Sequence, residues 1–240
     1  MEESFTTKAL VLSRRPYKEV DSRVVVYTLD HGKMDLVARG SQRLTSKLAA
    51  HIEPLNLVDL MVIVGRKRSY AGSAISQDSF ADIKGDLEKV MIVGQALNLF
   101  NRLVKEAEVD ERLFALLLDF LGVFRKNQGS SEFLYSAFVL KLLAELGYAP
   151  ELYNCNYCKS PITPQKNYFS LLKGGLVCEN CWGKLAENDK NHILTISNEC
   201  VKVMRFILGN DFKEINRLQV DQKNEQEYQK LIELIVKFHN

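Results

Sequence analysis

The sequence predicts an α+β chain: an N-terminal five-stranded β-barrel of the OB type, then an α-helical domain with an inserted four-cysteine zinc element. Three observations predict it. Up to Gln77, apolar residues alternate in short runs broken by turn residues, the period of half-buried strands. From Asp82 onward they recur at steps of three and four, the period of helices. Cys155-Asn-Tyr-Cys158 and Cys178-Glu-Asn-Cys181 are separated by nineteen residues, inside the roughly 15–20 that marks a four-cysteine zinc site.

The first strand is read over Thr6–Ser13. Arg14 to Glu19 reads as a loop, because Pro16 lacks a ladder donor. Ser22–Leu29 is a strand rich in β-branched residues, Asp30-His31-Gly32-Lys33 a hairpin turn, and Met34–Ala38 the return strand. The basic stretch 40–50 carries at most one helical turn, near Ser46–Ala50. Leu55–Val64 and Tyr70–Gln77 complete the five strands, joined through Gly65-Arg66-Lys67-Arg68-Ser69. Five short strands with a helical turn between the third and fourth suit an OB barrel, with an SH3-like barrel as the nearest alternative. This places a nucleic-acid-binding domain over residues 1–80 and a helical domain over 81–240.

In the second part, Leu87, Val90, Met91, Val93, Leu97 and Phe100 describe one helix. Asp110 opens a second that runs to Phe124, and Gln128-Gly129-Ser130-Ser131 breaks it. A third spans Phe133–Leu146, with Gly147 as its C-cap. Ser197 suits the N-cap of a helix from Cys200 to Leu208, and a last helix runs from about Glu225 to Phe238. These helices are expected to form one bundle with the zinc element, about residues 150–185, as a knob upon it.

Within that element, two residues between cysteines let one tight turn aim both sulfurs at a common point. Two such turns, from Cys155, Cys158, Cys178 and Cys181, surround a tetrahedral Zn²⁺. The spacer suits a hairpin, with Tyr168, Phe169, Leu171 and Leu172 as strand, Lys173-Gly174-Gly175 as turn and Leu176-Val177 as return. With four sulfur ligands no coordination position is left for water, so one structural ion is expected, not a catalytic one.

Net charge is +2 over 240 residues, and the apolar fraction of 46% is enough for real cores. The basic excess sits at the front: residues 1–80 hold twelve Lys/Arg against nine Asp/Glu, and the rest of the chain is nearly balanced. No signal-peptide pattern opens the sequence and no run approaches a membrane span, so a cytoplasmic chain with reduced thiols is expected. Phosphate-binding glycine loops, the GxSxG elbow and HExxH are absent. His31, His51, His192 and His239 are scattered and read as surface residues. The chain is therefore read as a non-enzyme.

The positive signal is the basic set around the barrel. Arg39, Arg43 and Lys47 come at four-residue steps, and no acid occurs between Asp35 and Glu53. Arg14, Arg15, Lys18, Arg23 and Lys33 lie in neighbouring strands and loops, and Arg66, Lys67 and Arg68 tip another hairpin. OB barrels hold nucleic acid by a basic groove with aromatic platforms, for which Tyr17, Tyr27 and Tyr70 are the candidates. Tyr27 also alternates like a core residue. A zinc-ribbon transcription or RNA-binding factor and a dithiol oxidoreductase are the rival classes.

Arg15-Pro16-Tyr17-Lys18-Glu19-Val20-Asp21, Asp30-His31-Gly32-Lys33, Val37 through Arg43, Ser46-Lys47-Leu48 and Pro54-Leu55 together resemble the N-terminal signature of the bacterial RecO family of DNA repair proteins. Leu142-Leu143-Ala144-Glu145-Leu146-Gly147-Tyr148-Ala149-Pro150 leads into the cysteine pairs as it does in that family. The match is weakest after Ala186. The resemblance implies an OB domain followed by a helical, zinc-bearing domain. It also implies binding of single- and double-stranded DNA, annealing of complementary strands, and action with RecR to load RecA onto DNA coated by single-strand-binding protein. The implied partners are DNA, RecR, the C-terminal tail of single-strand-binding protein and, indirectly, RecA. The implied location is cytoplasmic and nucleoid-associated.

Overall fold

The computed structural model describes residues 3–127, 129–164 and 166–238. Gln128 of the expected helix break and His239 lie outside them. The chain divides into two compact units, Met1–Arg125 and Lys126–Asn240.

In the first unit, β1 (Glu3–Tyr17), β2 (Asp21–Thr28), β3 (Gly32–Ala38), β4 (Leu57–Val64) and β5 (Tyr70–Asp78) form a closed barrel in the order β1-β2-β3-β5-β4. All neighbours are antiparallel except β3 and β5, which meet in parallel at the single pair Val37–Tyr70. Alternate residues point inward: Ala9, Val11, Val24, Val26, Leu36, Val58, Leu60 and Val62 fill the core. In the β2–β3 turn Gly32 has φ +65°, and a Cβ there would lie 2.3 Å from the Glu108 carbonyl oxygen, so only glycine fits.

The first strand is longer than the sequence suggests, because Pro16 does not end it. Pairing of β1 with β4 stops at Leu10, while pairing with β2 continues to Tyr17. Pro16 therefore stands where β1 has a neighbour on one side only, the edge position in which a missing donor costs nothing. Between β3 and β4 the chain makes turns instead of a helix. One helical turn is present, closed by the Ile52 amide on the Leu48 carbonyl, slightly later than expected.

The unit does not end with the barrel. α1 (Ala81–Lys84), α2 (Leu87–Leu103) and α3 (Glu111–Phe124) belong to it. Asp86 and Asp110 cap α2 and α3, accepting from the Lys89 and Arg112 amides. The fully buried Tyr27 packs edge-on against Phe100 at 4.9 Å. Arg125, just past α3, bridges back to Asp78 and Asp82. The compact unit thus runs past residue 80 and takes in α2 and α3, which the sequence pattern assigns to the later helical domain. Leu87, Val90 and Met91, which the periodicity assigns to the apolar face of α2, are exposed.

The second unit opens with α4 (Ser131–Leu143), capped by Ser130 and continued by a π-helical turn, Ala144–Tyr148. Gly147 closes it at φ 87°, the left-handed position expected of a C-cap. Then follow β6 (Asn167–Ser170), β7 (Gly175–Cys178), α5 (Glu179–Trp182), α6 (Glu187–Lys190), β8 (Ile193–Ile196), α7 (Asn198–Gly209), α8 (Phe212–Ile215) and α9 (Gln222–Phe238). The expected hairpin is β6–β7, whereas α5, α6, β8 and α8 have no counterpart in the sequence pattern. β8 adds beside β6, giving the sheet order β7-β6-β8. Helices α4, α7, α8 and α9 form the bundle of this unit, and Ser197 caps α7 as its position suggests. Tyr228 is fully buried and donates to the Ser136 carbonyl at 2.9 Å. Cys200 is a core residue of α7. No helix among the described residues is long and apolar enough to cross a membrane.

Candidate nucleic-acid interface and metal centre

The turns after β3 build a cleft of about 530 Å³ on the first unit, lined by Arg39, Arg43, Lys47, Leu48, Ile63 and Tyr70. The Arg39 guanidinium lies 4.0 Å from the Tyr70 ring centre, a cation–π contact that also covers one face of the ring. Arg43 and Lys47 are exposed. Asp21 holds the loop in place: its carboxylate accepts from the Gly40 amide at 2.8 Å and its carbonyl from the Gln42 side chain.

The β1–β2 turn and the β4–β5 loop meet nearby, because Arg68 donates to the Tyr17 hydroxyl at 2.7 Å. Lys18 lies over the Tyr17 ring at 5.5 Å, and Arg66 and Lys67 are exposed. The Val37 amide donates to the Ser69 carbonyl at 3.1 Å, tying this loop to the end of β3. Three segments, 17–21, 39–47 and 66–70, are thereby gathered with seven basic and two acidic side chains.

Three expected bases turn inward instead. Arg14 donates to Ser22 Oγ and to the Ala49 and Ser41 carbonyls and pairs with Glu53. It pins the loop that carries Arg39 to Lys47 and offers no free donor fork. Arg23 pairs with Asp35 on the adjacent strand. The Lys33 ammonium caps the end of α2, donating to the Asn101 carbonyl at 2.6 Å and to that of Val104, and burial pushes its pKa down. Arg15 is exposed but lines a different pocket beside Asp35 and Glu106. Tyr27 is no platform: its ring is fully buried. Leu44, fully exposed between Arg43 and Thr45, escapes a search by charge. Its signal in the sequence is that of a lone leucine in a polar run.

In the second unit the four cysteines converge as the spacing requires. All four Sγ atoms lie within 4.8 Å of one another, and those of Cys158 and Cys178 are 3.8 Å apart. A tetrahedron with metal–sulfur bonds of about 2.3 Å has edges of about 3.8 Å. The first pair sits in a small loop closed by the Cys155 amide on the Ser160 carbonyl at 2.8 Å. The second begins at the end of β7 and continues into α5. Tyr168 stacks on Trp182 at 4.5 Å, and Val177, Ile162 and Leu185 complete an apolar shell. Hydrogen bonding with Ser160 pulls the Cys158 thiol down to about 6, whereas desolvation raises Cys181 to about 12. A divalent cation relieves that conflict by stabilising all four thiolates together.

Comparison with known proteins adds identity to geometry. Residues 1–74 match the family model described as Recombination protein O N terminal, and residues 84–240 the one described as Recombination protein O C terminal. A protein of Roseiflexus sp. named DNA repair protein RecO is 31% identical over 95% of this chain and 78% of its own length. Proteins of the same name from Alkaliphilus metalliredigens and Desulforamulus reducens are 29% and 28% identical, over 97% and 96% of this chain and 92% and 88% of theirs.

Proposed function

The chain belongs to the RecO family of DNA repair and recombination proteins, and on that premise we propose that it grips single- and double-stranded DNA by its barrel and anneals complementary strands. The observation that carries this reading is the cleft where Arg39, Arg43 and Lys47 meet Tyr70. Three cations on a stretch of chain that carries no acid of its own hold phosphates, and the aromatic ring offers a base a stacking surface once Arg39 swings aside. Lys18, Arg66, Lys67 and Arg68 extend the track along the adjoining loops, with Arg15 as an outlying contact. Leu44, at the tip, is positioned to wedge between unstacked bases.

Such a grip is directed at the backbone, so it leaves the pairing edges of the bases free and ignores sequence. Neutralising phosphates on both strands lowers their mutual repulsion, which is what annealing requires. No covalent step is needed, and the chain acts as a mediator, not an enzyme. With RecR, and through the tail of single-strand-binding protein, it helps RecA replace that protein on single strands. The cysteine tetrad holds one structural zinc that fixes the element between α4 and α7 in the chain.

The deciding experiment mixes complementary oligonucleotides precoated with single-strand-binding protein and follows annealing by fluorescence. Acceleration that is independent of sequence is expected. No acceleration, or acceleration of one cognate sequence only, would overturn the reading, the latter in favour of a sequence-reading zinc-ribbon factor. Metal analysis should return about one zinc per chain, and none, with two titratable dithiols, would point to redox chemistry.

A further inference from the structure

The sheet of the second unit is covered at its β7 edge, where Leu176 donates to the Glu151 carbonyl at 2.8 Å, Glu151 to that of Gly174, and Asn156 to that of Leu176. At the β8 edge the Leu171 amide donates to the His192 carbonyl, and the register pairs Phe169 with Leu194 and Asn167 with Ile196. Antiparallel alternation turns the backbone groups of Leu194 and Ile196 to β6, and those of Ile193, Thr195 and Ser197 away from it. Glu227 of α9 closes the last of these positions, accepting from the Ser197 amide at 2.7 Å and from its hydroxyl at 2.6 Å. Neither Ile193 nor Thr195 has a further backbone partner among the described residues. The open edge is thus a window of two residues, in a strand without the lysine, proline or bulge that usually blunts an edge.

The size of the window says what fits it. Two residues offer four backbone hydrogen bonds, too few to order a flexible segment, because fixing each residue costs about as much as one such bond returns. A strand that is already folded bears no such cost. A long added strand would also push Glu227 off the Ser197 amide. The charges favour the same occupant. A groove of about 200 Å³ runs beside the edge, between Leu194, Thr195 and Ile196 and the side chains of Leu231 and Leu234 of α9. It carries one carboxylate, Glu227, and one ammonium, Lys230. Such a surface has no net charge to select an acidic or a basic partner, and it is its own complement across a two-fold axis.

We propose that β8 is a self-association edge, where a second copy of this chain adds its own β8 antiparallel, about a two-fold axis at Leu194. Two three-stranded sheets then join into one. Ile193 pairs with Thr195 of the second copy, and Thr195 with Ile193 of the second copy, so every free backbone group in the window finds a partner. Pairing stops short of Ser197, and Glu227 keeps its place there. Isoleucine opposite threonine sets two β-branched side chains against each other, a pair that suits a sheet. Leu194 meets its own counterpart at the closer, non-hydrogen-bonded spacing, beside Leu231 and Leu234. This surface is on the second unit and does not rest on the DNA-binding reading.

The test follows the full chain by sedimentation velocity over a concentration series, where a reversible monomer–dimer equilibrium in the micromolar range is expected. Thr195→Pro takes one outward donor from each copy and should weaken the dimer about thirtyfold, the equivalent of two hydrogen bonds. Lys230→Glu leaves both rims acidic and should weaken it about fivefold. Hydrogen exchange at the Ile193 and Thr195 amides should slow as concentration rises. Engineered cysteines read the register without relying on the proline variant to fold. Leu194→Cys should form an intermolecular disulfide under mild oxidation, because its counterpart stands opposite at a Cα separation of about 4.5 Å. Thr195→Cys should not, because its counterpart is displaced by two residues along the strand. A chain that stays monomeric throughout overturns the proposal. So does a dimer indifferent to Thr195→Pro, or crosslinking of Thr195→Cys in preference to Leu194→Cys.

Discussion

The Tyr27 hydroxyl lies 3.2 Å from the Asp110 carbonyl oxygen, eighty-three residues further along the chain. The Glu108 carbonyl stands at the same distance. A barrel strand thus finds its hydrogen-bond partners beyond α2, and Lys33 reaches the end of that helix from β3. Cutting at residue 80 would strip Tyr27 of Phe100, Phe114 and both carbonyls. A fragment of residues 1–125 should give a dispersed proton NMR spectrum and one of residues 1–80 should not. A dispersed spectrum from the shorter fragment would show that α1–α3 are an accessory.

The same residue makes stability depend on high pH. Desolvation raises the Tyr27 phenol from 10 to about 12. Between those values the unfolded chain has lost a proton that the folded chain keeps, so stability falls as pH rises through that window. Tyr27→Phe cannot ionise. It should cost about 1–2 kcal/mol at neutral pH through the lost hydrogen bonds, and its deficit against the parent chain should shrink from pH 10 to 12. Urea melts across that range measure the gap, and a gap independent of pH refutes the assignment.

Arg14 separates structural from surface charge. It ties Ser41 and Ala49 to β1. Arg14→Ala should destabilise the first unit by about 1–3 kcal/mol, the cost of orphaning those carbonyls. DNA affinity should drop because the loop of Arg39 to Lys47 loosens, yet the salt dependence should stay that of the parent, since no phosphate contact is lost. A shallower salt slope would mean that Arg14 touches DNA after all.

The basic residues also mark where sequence reading stops. Strand positions are legible because a barrel wall imposes period two, and the zinc tetrad because tetrahedral geometry imposes CxxC pairs. Charge counts carry no such constraint. Arg14, Arg23 and Lys33 look like Arg39 or Lys47 until their partners, Glu53, Asp35 and the end of α2, are brought close by folding. Pro16 misleads because a proline signals a break only when both sides of a strand are paired. β8 escapes notice because four residues are too few to display a period, and its pairing with β6 crosses the whole second cysteine pair.

Zinc removal has a specific expectation. Cys155 is fully buried and its Sγ also accepts from the Cys178 amide at 3.4 Å. Cys155→Ser should abolish the metal and lower the melting temperature of the second unit, because metal binding in such elements is folding free energy, on the order of several kcal/mol. Cys200→Ser, in the core of α7, should retain the metal. Metal analysis with circular dichroism melting checks both, and an unchanged melt in the metal-free variant would show that the site does not support the fold.

The cleft residues Arg39, Arg43 and Lys47 make the sharpest test of DNA contact. None is tied up as Arg14 is: Arg39 rests on Tyr70, and the other two are exposed. If they meet phosphates, each contact removed should make the log–log salt slope for single strands shallower by about 0.7. Single alanine variants should weaken binding by a similar factor on every sequence, since phosphates carry no sequence information. Folding should change by less than about 0.5 kcal/mol, as for other surface substitutions. Arg39→Ala should behave differently in one respect. It uncovers Tyr70, so part of the electrostatic loss should be recovered by better stacking, and the recovery should vanish in Arg39→Ala with Tyr70→Leu. Fluorescence anisotropy with a labelled oligonucleotide over a salt series reads all of these. Unchanged affinity and slope in the triple alanine variant would move the contact to Arg66, Lys67 and Arg68, where Tyr17 stands in the place that Tyr70 holds here.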